Sequence, residues 1–240
     1  MSSASVLNTI FSYDLPDVGI REHAEDKNCD RALGNLQRFG REQIRSLVHQ
    51  VFFPGGAKAP RQVVFSSVDA NNNLGEICLS VGRRLCTQTS GSVCIVDLAS
   101  RHPEIAPTLE IRDVVDRIET FDCLRDSALP LSNKLWIVHS DVFLGNEKRL
   151  SARWLRTRID ELRLDFDYTI FQAPPAGQCS DAHILGHLCD GIVLVLNANS
   201  TRRVAAKKVK DCLSAANARL LGTVLSERQF PIPEALYRRL

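Results

Sequence analysis

With 240 residues, 44% of them hydrophobic and 24% charged, the chain has the make-up of one soluble globular domain long enough to bury a substantial core. A formal charge of +2 gives no argument for nucleic acid or an anionic membrane as a partner, and no stretch approaches the ~20 apolar residues of a membrane-spanning helix. The opening MSSASVLNTIFSYDLPD lacks the basic start and apolar run of a secretory signal, and the eight cysteines form no C-x-x-C pair, so a cytoplasmic protein with reduced core thiols is expected.

Residues 1–40 are polar and weakly periodic and read as an N-terminal arm or linker, leaving 41–240 as the domain. A helix is expected over Arg41–Phe53, ended by Pro54-Gly55-Gly56. From Gln62 onward strand and helix patterns alternate. The expected strands are Gln62–Ser67, Ser92–Asp97, Lys134–His139, Tyr168–Gln172, Gly191–Asn197 and Leu220–Leu225. The expected helices are Gly75–Gln88, Ile111–Ile118, Lys148–Leu164, Asp181–Leu188 and Ser200–Ala216. The strands are continuous apolar runs (CIVDLA, GIVLVLNA, LLGTVL), the pattern of strands covered on both faces. A single-domain, doubly wound, mostly parallel α/β sheet follows, with ligands expected at the loops after Ser67, Asp97 and Gln172.

The first of those loops carries the most information. A strand, the loop Ser66–Leu74 and then a helix give the strand–loop–helix order of a phosphate-binding loop. A working one needs glycines for close backbone approach, a Lys for the β/γ-phosphates and a Ser/Thr hydroxyl for Mg²⁺. Here Asn71 and Asn73 stand at the glycine positions around Asn72, Leu74 at the Lys and Gly75 at the hydroxyl, with Glu76 next. Asn tolerates left-handed φ, so Asn71–Asn73 could still make an anion-binding nest; a polar connecting loop is the simpler reading and is preferred.

Elsewhere the bland readings prevail. His183 and His187 have the i,i+4 spacing of a zinc pair near Cys179, Asp181 and Cys189, but Gly186 weakens their helix and Cys189 opens a buried strand, so no metal site is expected. Asp181 and Asp190 read as structural acids at a helix start and a strand entrance. Thr201–Lys210 (TRRVAAKKVK) reads as a solvated helix face, with Ser200 or Thr201 as its N-cap.

Taken together, several segments resemble the cytoplasmic ATPase domain of bacterial tyrosine kinases of capsule and exopolysaccharide export, within the MinD/ParA-like P-loop group. REQIRSLVHQVFF (41–53) is similar to the family helix E-x-F-R-x-L-R-T-N-L, keeping Glu42, Arg45 and Leu47. IVDLASRHP (95–103) is similar to I-D-A-D-x-R-x-P, keeping Asp97 and Arg101 but with Ala99 at the second Asp. The long run 165–209 follows F-D-Y-V-I-I-D-T-P-P…D-A…D-G-V-V-L-V…T-R, with Gln172 at the Walker B Asp and Arg202 and Arg203 after Thr201. RLLGTVLSE (219–227) resembles the last core strand, with Ser226 where the group has an Asn that contacts the base.

The resemblance spans 41–240 and implies a nucleotide site at Asn71–Glu76, Asp97, Gln172 and Ser226, vestigial here because its departures fall on the chemistry. Phosphoryl transfer works through positioned cations and metal, and the cation and two of three carboxylates are missing. The family also phosphorylates a C-terminal tyrosine cluster, whereas this chain has only Tyr13, Tyr168 and Tyr237. The expectation is therefore a protein with no catalytic residues and no cofactor, ATP and Mg²⁺ being the alternative ligands. It would regulate or scaffold polysaccharide biosynthesis and export at the inner membrane. Its partners would be a membrane co-polymerase, an active kinase paralogue or further copies of itself. Glu42, Arg45, Arg101, Arg202 and Arg203 are the interface candidates. The alternatives are a kinase or ATPase with residual activity and a MinD/ParA-type positioning protein.

Overall fold

The computed structural model describes residues 10–11, 27–55, 59–70, 73–99, 124–144, 152–198 and 200–227. The elements are β1 (Ile10–Phe11), α1 (Lys27–Phe52), β2 (Gln62–Ser67), α2 (Leu74–Gln88), β3 (Val93–Asp97), β4 (Leu129–Ser132) and β5 (Leu135–His139). Then follow α3 (Ser140–Leu144), α4 (Ala152–Asp165), β6 (Tyr168–Gln172), α5 (Asp181–Leu188), β7 (Gly191–Asn197), α6 (Arg203–Ala215) and β8 (Leu220–Ser226). The strands form one sheet in the order β1-β8-β7-β2-β6-β3-β5-β4. All neighbouring pairs are parallel except β4 with β5.

The sheet is covered on both faces, as its unbroken apolar runs require. All six residues of β2 and all five of β3 are buried. On one face Ile44, Leu47, Val48, Val51 and Phe52 of α1 and Leu74, Ile77, Cys78, Val81 and Leu85 of α2 pack on Val63, Phe65, Ile95, Ile137 and Ile170. On the other, Phe143 of α3, Leu155, Ile159 and Leu162 of α4, Ala182 and Leu185 of α5 and Val209 and Leu213 of α6 pack on Val64, Val96, Val138 and Phe171. Fully burying one such side chain stabilises by ~1.5–3 kcal/mol, so two layers of this kind account for the drive to this architecture.

The amino-terminal edge of the sheet is tied by a polar network. The Asp190 carboxylate accepts the backbone N–H groups of Arg61 (2.8 Å) and Gln62 (2.9 Å), and Arg163 donates to both Gln62 Oε1 (2.8 Å) and Asp190 (3.3 Å). Gln62, 1% exposed, is completed by donating to the Ile159 carbonyl. Asp190 thus fixes where β2 and β7 begin. Gly191 follows because a Cβ there would meet Leu221 Cγ at 2.6 Å and the Arg219 carbonyl at 2.7 Å.

Four elements differ from expectation. Helix α1 starts at Lys27, inside the stretch read as an arm, where Cys29, Leu33, Leu36 and Phe39 recur at helical spacing ahead of Ile44 and Leu47. Ile10–Phe11 of the same stretch pairs with Leu225–Ser226. Strand β4 was not foreseen: LPLS is short and carries Pro130, which an edge strand tolerates. The five-residue α3 follows His139 directly and was also not foreseen. The expected helix Ile111–Ile118 lies outside the described residues.

Candidate functional site

Strand alternation sets the geometry of the carboxyl edge. Phe65, Ile95, Ile137, Ile170, Val195 and Val224 or their immediate layer lie on the α1/α2 face, five of them with Phe65 in one apolar cluster. Two residues further on, each strand ends in a polar side chain on that same face: Ser67, Asp97, His139, Gln172, Asn197 and Ser226. Asp97 is in register with Gln172 on one side and His139 on the other, and Asn197 is in register with Ser226. Between the two groups β2 delivers the chain into the loop that ends at α2. Asp97 is 1% exposed, and Gln172 and Ser226 are fully buried.

Several of these polar groups have partners at the same edge. Asp97 accepts the Ala99 N–H at 3.1 Å. Ser226 Oγ donates to Asn197 Oδ1 at 2.7 Å. Asn73, which precedes α2, donates its side-chain amide to Glu227 Oε1 at 3.0 Å and makes no side-chain cap to the helix. Glu227 itself has φ 58, a conformation uncommon outside glycine and asparagine. A carboxylate therefore sits beside the first turn of α2, where a phosphate-binding loop would receive an anion.

The loop after β6 is fastened to the loop after β2. Ala176 N–H donates to the Ser67 carbonyl (2.8 Å), Gly177 N–H to the Val68 carbonyl (3.1 Å), and Ser66 Oγ to the Pro174 carbonyl (2.7 Å). A Cβ at Gly177 would lie 2.3 Å from the Val68 carbonyl oxygen, so this approach requires glycine.

Of the residues singled out from the sequence, Asn73, Leu74, Gly75, Glu76, Asp97, Gln172 and Ser226 gather at this edge, while Asn71, Asn72 and Arg101 lie outside the described residues. Leu74 is 2% exposed and belongs to the apolar cluster with Phe65 and Ile77; Gly75 is buried beside it and Glu76 is exposed. His139 was missed, although it ends a foreseen strand as Asp97 and Gln172 do. It is half-buried, and desolvation holds its imidazole below the usual pKa against a smaller opposite pull from Asp141.

The interface candidates are scattered. Glu42 and Arg45 form an exposed i,i+3 pair at 3.8 Å on α1, an interaction worth little. Arg202 and Arg203 are exposed at the start of α6. The expected cap is corrected: Arg202 occupies the N-cap position, and Thr201 Oγ1 instead accepts the Asn197 N–H at 3.0 Å. Among the described residues no group of three or more His, Cys, Asp or Glu side chains is placed to hold a metal ion. Burial pushes the Cys189 thiol well above its ordinary pKa. Tyr168 packs edge-on against Phe52 of α1 at 5.9 Å. No helix among the described residues is long and apolar enough to cross a membrane.

No family model matches the chain. Individual relatives do. It is 34% identical over 196 residues to the tyrosine-protein kinase YwqD of Bacillus subtilis (strain 168), covering 78% of this chain and 81% of that protein. The fold superimposes on the crystal structure of the chimerical protein CapA2B2 with a TM-score of 0.66 at 16% identity, over 95% of this chain and 96% of that one. The MinD cell division protein of Aquifex aeolicus shares the fold with a TM-score of 0.55 at 18% identity, over 75% of this chain and 72% of that one. The extent of the match to YwqD carries the assignment that fold alone would not: this chain belongs to the bacterial tyrosine-protein kinase family.

Proposed function

We propose that this chain is a non-catalytic member of that family, acting by protein–protein contact as a regulatory or scaffolding subunit of exopolysaccharide or capsular polysaccharide biosynthesis and export. The observation that carries it is Leu74. At the position where the resemblance requires a phosphate-binding Lys, a side chain 2% exposed belongs to the apolar core. Two neighbours point the same way. Gly75 offers Mg²⁺ no oxygen, and the Glu227 carboxylate, hydrogen-bonded to Asn73, adds negative charge where phosphates would have to sit. Gln172 at the Walker B position removes a further carboxylate.

The pathway comes from the resemblance, as do the partners: a membrane polysaccharide co-polymerase, an active kinase paralogue, or other copies of this chain at the inner membrane. One observation favours a second reading, an ATP-binding kinase or ATPase with residual activity: Asp97 is retained, buried, at the carboxyl end of β3. Calorimetric titration with ATP and Mg²⁺ separates the two readings. The expected result is neither heat of binding nor phosphate release. Saturable micromolar binding with turnover overturns the non-catalytic reading.

A further inference from the structure

The segment from Arg202 to Asp211 holds five cations (Arg202, Arg203, Lys207, Lys208, Lys210) and one acid, Asp211. Its charge is thus +4 in a chain whose total is +2, so all other residues together carry −2. The basic excess of the whole molecule is concentrated on one helix. Every one of those cations is exposed, and among the described residues none of the five is in an ion pair.

The same helix leaves a face of mixed apolar and charged character uncovered. Only Val209 and Leu213 of α6 are buried. On the opposite side, Val204, Lys207, Lys208, Asp211, Cys212 and Ala215 follow the i, i+3, i+4, i+7 spacing of one face and line a cavity of about 460 Å³. Val204 is 80% exposed. A small apolar strip of Val204, Cys212 and Ala215 flanked by ammonium groups is a surface on which an acidic, partly apolar chain segment gains charge pairing and some burial.

We propose that this face of α6 is a docking site for an acidic peptide segment of a partner protein. The proposal rests on the reading of the chain as a docking subunit and names the surface and the partner's chemistry. Two other occupants fit less well. The chain's own residues 228–240 carry Arg228, Arg238 and Arg239 against Glu234, the same sign as the helix. A bilayer calls for large apolar side chains along the face, and here Asp211 sits in its middle with Val204 as its one large apolar group.

The test uses the full chain and a fluorescein-labelled amphipathic Glu/Leu peptide, with its Lys/Leu counterpart and phosphatidylserine vesicles as parallel arms. The Glu/Leu peptide is expected to bind saturably, to slow alkylation of exposed Cys212, and to lose at least about tenfold in affinity in K207E/K208E or at high salt. V204S, which keeps every charge, is expected to weaken binding less. Both variants change exposed side chains, and unchanged melting temperatures certify their fold. The proposal is overturned by absent binding, by binding that K207E/K208E leaves unchanged, by equal binding of the Lys/Leu peptide, or by vesicles competing through these residues while the peptide does not. ATP turnover in the same samples would remove the non-catalytic reading and leave this site standing, whereas lost peptide binding would do the reverse.

Discussion

At the amino-terminal edge of the sheet, Asp190 answers two backbone N–H groups, Arg163 spans Gln62 and Asp190, and Asp167 holds the Ser92 N–H and hydroxyl. At the carboxyl edge the polar residues Asp97, Gln172, Asn197 and Ser226 are more deeply buried than those charged groups, and the described bonds include Ser226 to Asn197 on the next strand and Asn73 to Glu227. The first edge uses charged groups to fix strand register between segments as far as 129 residues apart. The second gathers polar strand ends close to Leu74, which joins the apolar core. In one chain, ion pairs and charged hydrogen bonds hold one edge of the sheet, while the other combines buried amide, hydroxyl and carboxylate strand ends with the apolar Leu74.

The largest expected effect comes from restoring a cation to the second edge. Leu74→Lys removes a buried leucine and places an ammonium in the apolar cluster, and is expected to cost ~3–5 kcal/mol in urea unfolding without conferring ATP turnover. A stable variant that binds ATP would mean the carboxyl edge is a working cleft, and the contrast would collapse. Next, Asp190→Ala strips the partner from two N–H groups and from Arg163. With the two side chains 27% and 39% exposed, water softens the loss to ~2–3 kcal/mol. Asp190→Asn, which keeps an acceptor, is expected to cost about half as much. Gly177→Ala forces the β6 loop off the Val68 carbonyl and is expected to cost ~1–2 kcal/mol, read in the same experiment.

The central strands were legible because their signal is local: VVF, CIVD and GIVLVLN are short, β-branched-rich apolar runs of the kind that fits strands buried on both faces. Strand ends pointed to the loops after Ser67, Asp97 and Gln172, and the family resemblance then singled out Asp97, Gln172 and Ser226. His139 obeyed the same rule and was passed over because it matched no motif, although its strand had been read. What lay beyond reach depends on contacts between distant segments. The Asn73–Glu227 bond joins residues 154 apart and exists only because β8 lies two strands from β2. Strand β4 depends on its partner β5 more than on LPLS itself. The concentration of charge on α6 was visible as TRRVAAKKVK, but which side of the helix stays uncovered was not.

The smallest effects separate the two edges by pH. Asp167 is held below the ordinary carboxylate pKa first by the Ser92 backbone N–H and then by its hydroxyl, with burial opposing. A depressed carboxylate contributes stability that is fully present above its unfolded value of about 3.9 and is lost as pH falls through the folded one. Asp167→Asn should therefore lower the melting temperature at neutral pH and converge on the unmodified protein in strong acid. His139 has the other profile. Its folded pKa lies below the unfolded value of about 6.5, so between the two the unfolded chain binds more protons and stability falls on acidification. His139→Gln should flatten that mildly acidic slope and leave the strongly acidic one, while Ser92→Ala should blunt the strongly acidic one and leave the first. If either substitution moves both slopes, the two edges are coupled through the sheet and do not titrate as separate regions.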